Sequence, residues 1–359
     1  MTPPTKGDGQ DGKSGPTLHD VAAQAGVSTA TVSRVLHGKG YVSDATRRRV
    51  EKAMRQQGFR LNAVASGLKR GSTRTIGVLL HETLPNPFFA EVALGVEHAA
   101  TEHGYNVLVY NARGSAEHER TGVDAFLSQR VDAIVFAKAV DARNVELVHR
   151  AGVVVVEVEK PRFRGAGVVL VDNYVGATAA MRHLLELGHE QIGYIGDPAP
   201  TDPEMAGTAR VIAERLAGYR DVLEEHGFGG DDSRVVLGEY FLDPGWPSLR
   251  TGYDYMSRLL DRSPEVTAVF AASDLLAAGA LQALYERRIR VPDQASVVGF
   301  DDTHAQHLAP PLTTVRQPMF EMGVEAAGLA MKLEPRTSSE VWLQTELVVR
   351  QSTGPPRQV

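Results

Sequence analysis

The 359-residue chain contains no cysteine. Disulfide staples and cysteine-ligated metals are therefore excluded, and a reducing compartment is compatible with the composition. No apolar stretch reaches the roughly 18 residues a membrane span requires. The first 16 residues, MTPPTKGDGQDGKSGP, lack the apolar centre of a signal peptide and read as a disordered tail. Catalytic signatures are missing too. There is no GxSxG, no Walker loop, no HExxH and no complete GxGxxG, so nucleophilic, nucleotide-hydrolysing and zinc-protease readings have no motif behind them. His304 and His307 stand three apart, but no carboxylate or third histidine at metal spacing joins them. Gly193-Tyr194-Ile195-Gly196 reads as a strand end. These absences leave a cytoplasmic protein without a membrane partner, metal or cofactor as the expectation, and not an enzyme. Apolar residues make up 43% of the chain, enough for more than one core.

The most specific pattern lies near the amino terminus. Leu18, Val21, Ala22 and Ala25 share one face of a first helix. Gly26-Val27 forms a tight turn, and Ser28 is placed to cap a second helix from Thr29 to Leu36. Val32, Val35 and Leu36 turn inward there, while Thr29, Ala30, Ser33 and Arg34 turn outward. A short polar helix with one buried face suits the major groove of DNA. A third helix is expected from Asp44 to Gln57, with Ser43 at its start and Gly58 at its end. Val50, Ala53, Met54 and Phe59 complete a three-helix core. Between Thr17 and Arg74, eleven Lys and Arg face three acids, a charge of +8; the whole chain is −6, so the remainder carries −14. A basic head on an acidic body points to a polyanion partner.

Beyond the head, apolar strand-like runs alternate with helical patterns. The runs are Thr75–Leu80, Asn106–Tyr110, Asp132–Ala137, Val153–Val158, Gly167–Val171, Gln191–Ile195, Val235–Tyr240, Ala268–Ala272 and Ser296–Phe300. Helices are expected at Pro87–His103, Glu117–Gln129, Ala142–Arg150, Val175–Leu187, Ala209–His226, Leu249–Leu260 and Leu275–Arg288. Repeated strand–helix units imply parallel sheets covered by helices. Their number exceeds one sheet, and Asp172-Asn173 separates two series. The fold class is therefore α/β, with an N-terminal helix-turn-helix head and a body of two doubly wound lobes. Ligands in such sheets sit outside the carboxyl ends of the strands.

The chain resembles LacI/GalR-family transcriptional repressors along nearly its whole length. The resemblance rests on Asp20-Val21-Ala22, Ala25-Gly26-Val27-Ser28, Thr31-Val32-Ser33-Arg34-Val35, and Val42-Ser43 through Thr46-Arg47 in the head. Asn62-Ala63-Val64-Ala65-Ser66-Gly67-Leu68 is similar to the family's hinge helix. In the body it rests on Asn86-Pro87-Phe88-Phe89, Gly188-His189, Arg215-Leu216-Ala217-Gly218-Tyr219, Ser273-Asp274, Gly299-Phe300-Asp301-Asp302 and Pro311-Leu312-Thr313-Thr314-Val315. It implies a periplasmic-binding-protein-like body crossed three times by the chain. The implied domains are a tail at 1–16, the helix-turn-helix domain at 17–60, and a hinge at 61–74. The first lobe then takes 75–173 and 319–343, and the second 174–318 and 344–353. The DNA-contacting residues implied are Thr17, Ser28, Thr29, Ala30, Thr31, Ser33, Arg34, Asn62, Ala65 and Leu68. Leu68 takes the place of the family's minor-groove wedge, which unstacks a base step at a cost of roughly a few kcal/mol. Leu61 departs from the family's usual proline there. Gly67 lowers helix propensity by about 1 kcal/mol relative to alanine, so the hinge is expected to order only on DNA.

The effector positions implied are Phe88, Arg215, Asp301 and Tyr240, with Glu159, Asn173 and Ser273 beside them. An arginine fork, a carboxylate and aromatic faces can hold a small polar ligand. The alternative readings are Phe88 as core, Arg215 as a surface ion pair, and Ser273 or Asp274 as a helix cap. Glu159 stands where aspartate is common, and the segments Pro198–Ala209 and 243–247 add bulk near the pocket. The expected function is a dimeric, or higher-oligomeric, operator-binding repressor controlled by a sugar. A purine or other corepressor is the alternative, and a transport solute-binding protein is a rival that the basic head disfavours.

Overall fold

The computed structural model describes residues 16–37, 40–59, 72–81, 87–159, 163, 165–198, 206–229, 232–238 and 249–357. The chain divides into two compact units, 1–73 and 74–359.

Among the described residues of the first unit three helices form: α1 (Leu18–Ala25), α2 (Thr29–His37) and α3 (Asp44–Gln57). Their ends are written in the local sequence. The Thr17 side chain accepts from the Asp20 amide while the Asp20 carboxylate accepts from the Thr17 amide, a capping box. Gly26 ends α1 at φ 64°, a left-handed position a side chain would strain. Ser28 Oγ accepts from Thr31 N at 3.2 Å, and Ser43 caps α3 through Thr46 N. Val21, Ala22, Ala25, Val32, Val35, Val50 and Ala53 form the core. Leu18, expected on the inward face, is 37% exposed and lies outside the head's core. Thr17→Ala is expected to lower the head's stability by about 1 kcal/mol. Chemical denaturation of the isolated head, followed by helical circular dichroism, measures it, and an unchanged midpoint would reject the cap's contribution.

The second unit holds two six-stranded sheets. Its elements run β1 (Thr75–Leu80), α4 (Phe88–Glu102), β2 (Asn106–Asn111), α5 (Ala116–Ser128), β3 (Ala133–Ala137), α6 (Ala142–Arg150), β4 (Val154–Val158), β5 (Gly167–Val171), α7 (Asn173–Glu186), β6 (Ile192–Gly196), α8 (Ala206–Glu225), β7 (Val235–Leu237), α9 (Leu249–Arg262), β8 (Ala268–Ala271), α10 (Asp274–Glu286), β9 (Ser296–Asp301), β10 (Thr313–Arg316), α11 (Met319–Lys332), β11 (Ser339–Leu343) and β12 (Glu346–Val348). One sheet has the order β11-β5-β4-β3-β1-β2 and the other β12-β10-β9-β8-β6-β7. All pairings are parallel except β10 with β12. Four elements were not anticipated from the sequence: β10, α11, β11 and β12. The strands are short, and β11 alternates half-buried with exposed positions, so none presents a continuous apolar run. Helix α8 starts at Ala206, three residues earlier than its pattern suggested, which shortens the loop before it.

Each sheet is covered on both faces, as parallel sheets require. In the first, α4 and α11 enclose one core around Val78, Val135, Val156 and Val96, while α5 and α6 enclose another around Ile134, Phe136 and Val145. In the second, α9 and α10 cover one face and α7 and α8 the other. Glycines seat the helix pairs. A Cβ on Gly95 would collide with the Phe320 carbonyl oxygen, and one on Gly323 with that of Val92. Gly252 lies equally close to the Leu276 carbonyl in the other lobe. Among the described residues no helix is long and apolar enough to cross a membrane.

The chain passes between the sheets three times: from β5 to α7 through Asp172, from β10 to α11 through Gln317 and Pro318, and from β11 to β12 through Gln344 and Thr345. The first two passages leave from strand carboxyl ends. They therefore bring the carboxyl edge of each sheet to the junction of the lobes.

Candidate binding cleft and nucleic-acid interface

At the junction the second lobe presents a buried arginine. Arg215 lies on α8 and is 7% exposed. Its Nε donates to Asn173 Oδ1 at 2.9 Å and its Nη1 to the Ala272 carbonyl at 2.6 Å. Nη2 stands 3.5 Å from Asp301 Oδ1, and the guanidinium carbon lies over the Phe300 ring, 3.7 Å from its centre. Three partners and one aromatic face fix a group that would otherwise sample many rotamers. A guanidinium has five N–H donors, so the fork keeps capacity for a ligand acceptor beyond these three directions.

Each partner arrives for a local reason. Asn173 is the first residue of α7, set by Asp172, whose side chain caps that helix through Val175 N at 2.9 Å. Ala272 follows β8, and Ser273 next to it caps α10 through Leu276 N. Asp301 ends β9 and is 8% exposed. Its backbone sits at φ 116° and that of Asp302 at φ 61°, two consecutive non-glycine residues in the left-handed region. Such conformations cost on the order of 1–3 kcal/mol each and persist where neighbours enforce them. Asp302 faces away from Arg215, bonding Arg316 Nε at 2.8 Å and Arg350 Nη2 at 2.7 Å.

Gln317, on the second passage between lobes, was not singled out in the sequence. It is 3% exposed and donates through Nε2 to Asp301 Oδ1 at 2.7 Å. Its Oε1 is buried and has no hydrogen-bond partner among the described residues. Such an acceptor is costly unless a ligand or water satisfies it. A buried glutamine next to a proline carries no sequence signal; only its place between the lobes makes it part of the site.

The structure thus gathers Asn173, Arg215 and Asp301, with Ser273 one residue from the Ala272 carbonyl. Phe88 and Glu159 belong to the other lobe. Phe88 is 3% exposed and packs edge-on against Phe89 at 5.2 Å within the first-lobe core, so it offers little face to a ligand. Glu159 follows β4 at φ 72°, half-buried, its amide donating to the Val169 carbonyl. Lys138, at φ 63° after β3, holds its ammonium 5.9 Å from the centre of the Phe89 ring and was also missed. Leu80, Asn111, Ala137 and Val158 stand level across this sheet, so the residues following them line one carboxyl edge. Tyr240 lies outside the described residues, as do Asn62, Ala65 and Leu68 of the hinge.

In the head, Thr17, Ser28, Thr29, Ala30 and Arg34 are exposed, and Thr31 and Ser33 are half-buried. The outer face of α2 is therefore polar and open, with the apolar side chains Val32 and Val35 closed inside. Tyr41, just after α2, is 93% exposed, an aromatic the helical periodicity could not flag because it lies between helices. Arg48, Arg49, Lys52 and Arg55 on α3 add cations to the surface of the same small unit.

A polar recognition helix on a compact basic head, joined to a two-sheet body with a fixed guanidinium–carboxylate pair, defines a DNA-binding regulator of transcription. Residues 17–62 match the bacterial regulatory proteins of the lacI family, and residues 181–353 match a periplasmic binding protein-like domain. The HTH-type transcriptional regulator CelR of Thermobifida fusca is 37% identical over 349 residues, covering 94% of this chain and 98% of that protein. The chain belongs to the lacI family. Its fold is similar to that of a CelR–cellobiose complex, with TM-score 0.66 at 34% identity over 94% of this chain and 99% of the other. It is also similar to a Lac repressor dimer bound to operator and an anti-inducer, with TM-score 0.78 at 26% identity over 95% of this chain and all of the other.

Proposed function

We propose that this chain is a cytoplasmic repressor that binds a near-palindromic operator as a homodimer and releases it when a sugar occupies the cleft between its lobes. The observation that carries the ligand half is the fixed Arg215 fork beside Asp301 and the unsatisfied Gln317 acceptor. A fork, a carboxylate and an amide oxygen together match the alternating donors and acceptors of vicinal hydroxyls. A purine would need an open aromatic face. Phe88 is packed in the core, and Phe300 is buried under the guanidinium, which favours the sugar over the nucleobase among the described residues. Relatives support the same direction, since the CelR structure holds cellobiose. Effector contacts are assigned to Arg215, Ser273 and Asp301 in the second lobe, to Asn173 and Gln317 on the passages between the lobes, and to Glu159 at the edge of the first, with Tyr240 completing the set; Phe88 is read as core.

The head, 17–60, reads the major groove through Thr29, Ala30 and Arg34, with Thr17, Ser28, Thr31 and Ser33 at phosphates. The hinge, 61–74, adds Asn62, Ala65 and the wedge Leu68 in the minor groove. The lobes are 75–173 with 319–343, and 174–318 with 344–353. A sugar shifts operator affinity only by binding one body state better than the other.

Footprinting and a salt titration test this reading. Two symmetric half-sites are expected. The logarithm of the affinity should fall with the logarithm of salt at a slope near −0.9 per phosphate neutralised. Exchanging Thr29 and Ala30 for other side chains is expected to change the preferred half-site while sugar affinity holds. A single asymmetric footprint, or affinity indifferent to salt, contradicts the proposal.

A further inference from the structure

Beneath the left-handed turn that carries Asp301 lies a second acid with no part in the contacts above. Asp274 opens α10 and is 2% exposed. It does not serve its own helix, because Ser273 already caps it. Its carboxyl instead reaches into the sheet. Oδ2 accepts from the Thr303 amide at 2.8 Å, and Oδ1 meets Thr314 Oγ1 at 2.6 Å. Thr314 is paired with Gly299 across β10 and β9, and a Cβ on Gly299 would stand 2.5 Å from Asp274 Oδ1. The bare backbone at 299 is what lets the carboxyl lie against the strand end. From there it ties down Thr303, the first residue after the strained pair Asp301–Asp302.

We propose that Asp274 is a positioning residue for ligand binding: its buried carboxyl pins the Asp301–Asp302 turn and so orients the Asp301 carboxylate toward Arg215 and the ligand. The proposal rests on the cleft reading given above. A strained turn keeps one geometry only where its surroundings over-determine it, and the Thr303 amide is the tether nearest the strain.

The charges around this carboxyl decide its protonation. Asp301 and Asp302 face it from the end of β9. Arg215 comes from α8 to Asp301, while Arg316 from β10 and Arg350 from the carboxyl-terminal segment are engaged by Asp302. On α9, which packs against α10, Tyr253 bonds Glu286 and Arg250 pairs with Asp254. Burial, then the negative charge of Asp301, pushes Asp274 up to about 8, against the bonds from Thr314 and Thr303. At neutral pH the group is a carboxylic acid. Its Oδ2 accepts from the Thr303 amide and its Oδ1 from the Thr314 hydroxyl. Ionising Asp274 sets a second negative charge against Asp301 and works against the arrangement that faces Arg215, so sugar affinity should fall as pH rises through about 8.

Full-length wild type, Asp274→Asn, Asp274→Ala, Thr314→Val and Arg215→Ala are compared in two measurements. Amide hydrogen exchange of the segment spanning 299–306, without ligand, is expected to be alike in wild type and Asp274→Asn. It should run at least about tenfold faster in Asp274→Ala, with the rest of the lobe unchanged. Calorimetry with cellobiose, glucose and ribose then identifies the sugar that wild type binds. Asp274→Asn, which reproduces the neutral acid's bonds, should keep that affinity within about threefold at pH 7 and lose the decline above pH 8. Asp274→Ala should lose about tenfold or more. Thr314→Val removes a bond that favours the charged form, so its decline should move to higher pH. Unchanged exchange in Asp274→Ala, or Asp274→Asn failing as Asp274→Ala does, overturns the proposal, as does a flat wild-type pH profile. If Arg215→Ala binds the sugar like wild type, or no sugar binds, the cleft reading fails instead, and the exchange comparison still decides the role of Asp274.

Discussion

Arg215→Ala is expected to abolish the response to sugar, with a loss of at least about 100-fold in sugar affinity. The guanidinium is the point where α7, β8, β9 and α8 meet: Asn173, the Ala272 carbonyl, Asp301 and the Phe300 face all address it. Its removal deletes the fork that a ligand's hydroxyls would use. It also leaves Asp301, 8% exposed, without its cation. Breaking a buried pair by removing one partner typically costs about 3–5 kcal/mol of stability, an effect separate from the roughly 2.7 kcal/mol of binding that a 100-fold loss represents. Arg215→Lys should not rescue, because a point charge cannot address three acceptors in one plane. The double variant Arg215→Ala/Asp301→Asn should recover part of the lost stability but none of the binding, which separates the cost of an unpaired charge from the loss of ligand contacts. Calorimetric titration and an operator-release assay read the two effects. Operator binding in the absence of sugar is carried by the head and should persist. Near-normal sugar binding by Arg215→Ala would remove this residue from the site.

The largest effect on stability is expected at a position with no polar chemistry. Gly95 on α4 and Gly323 on α11 face one another so closely that a Cβ on either meets a backbone carbonyl of the opposite helix. Backbone atoms cannot swing aside as a side chain can, so the helices must separate. Separation loosens the core they share with Val78, Val135 and Val156. Overpacking of this kind costs about 1–3 kcal/mol and more where the main chain has to move. Gly95→Val and Gly323→Val are placed at the upper end, about 3 kcal/mol or above. The control lies on the same helix. A Cβ on Gly328 meets nothing within 4 Å, so Gly328→Ala should be neutral or gain up to about 1 kcal/mol from helix propensity. Thermal unfolding with local hydrogen exchange over 88–102 and 319–332 measures both. Equal effects of Gly95→Val and Gly328→Ala would show that the close approach is not what these glycines serve.

The head was legible because its signals are local. Gly26, Ser28, Ser43 and Gly58 act within one turn of where they stand, and each takes up the role its residue type dictates. Most strands of the body were legible for a related reason. A parallel strand buried on both faces needs an unbroken apolar run, and Ala133–Ala137, Gly167–Val171 and Ala268–Ala271 are such runs. Where the strand is largely polar, as in β10, or only partly buried, as in β11 and β12, the apolar run disappears and so does the signal.

The sequence by itself determined the helix-turn-helix and the division into two parallel-sheet series, and its family resemblance pointed to Arg215 and Asp301 as effector candidates. It could not place Leu18 outside or Phe88 inside, since both are apolar at a helix start and only the neighbours decide which is covered. Nor could it assemble the site. Asn173 and Arg215 are 42 residues apart, and Gln317 comes from a passage between lobes, so their meeting is a property of the crossover topology alone. Phe300 under the guanidinium and Asp274 under the strained turn follow the same rule. Caps, turns and buried runs are fixed by interactions a few residues long, whereas a binding site is fixed by which strand ends the tertiary fold sets side by side.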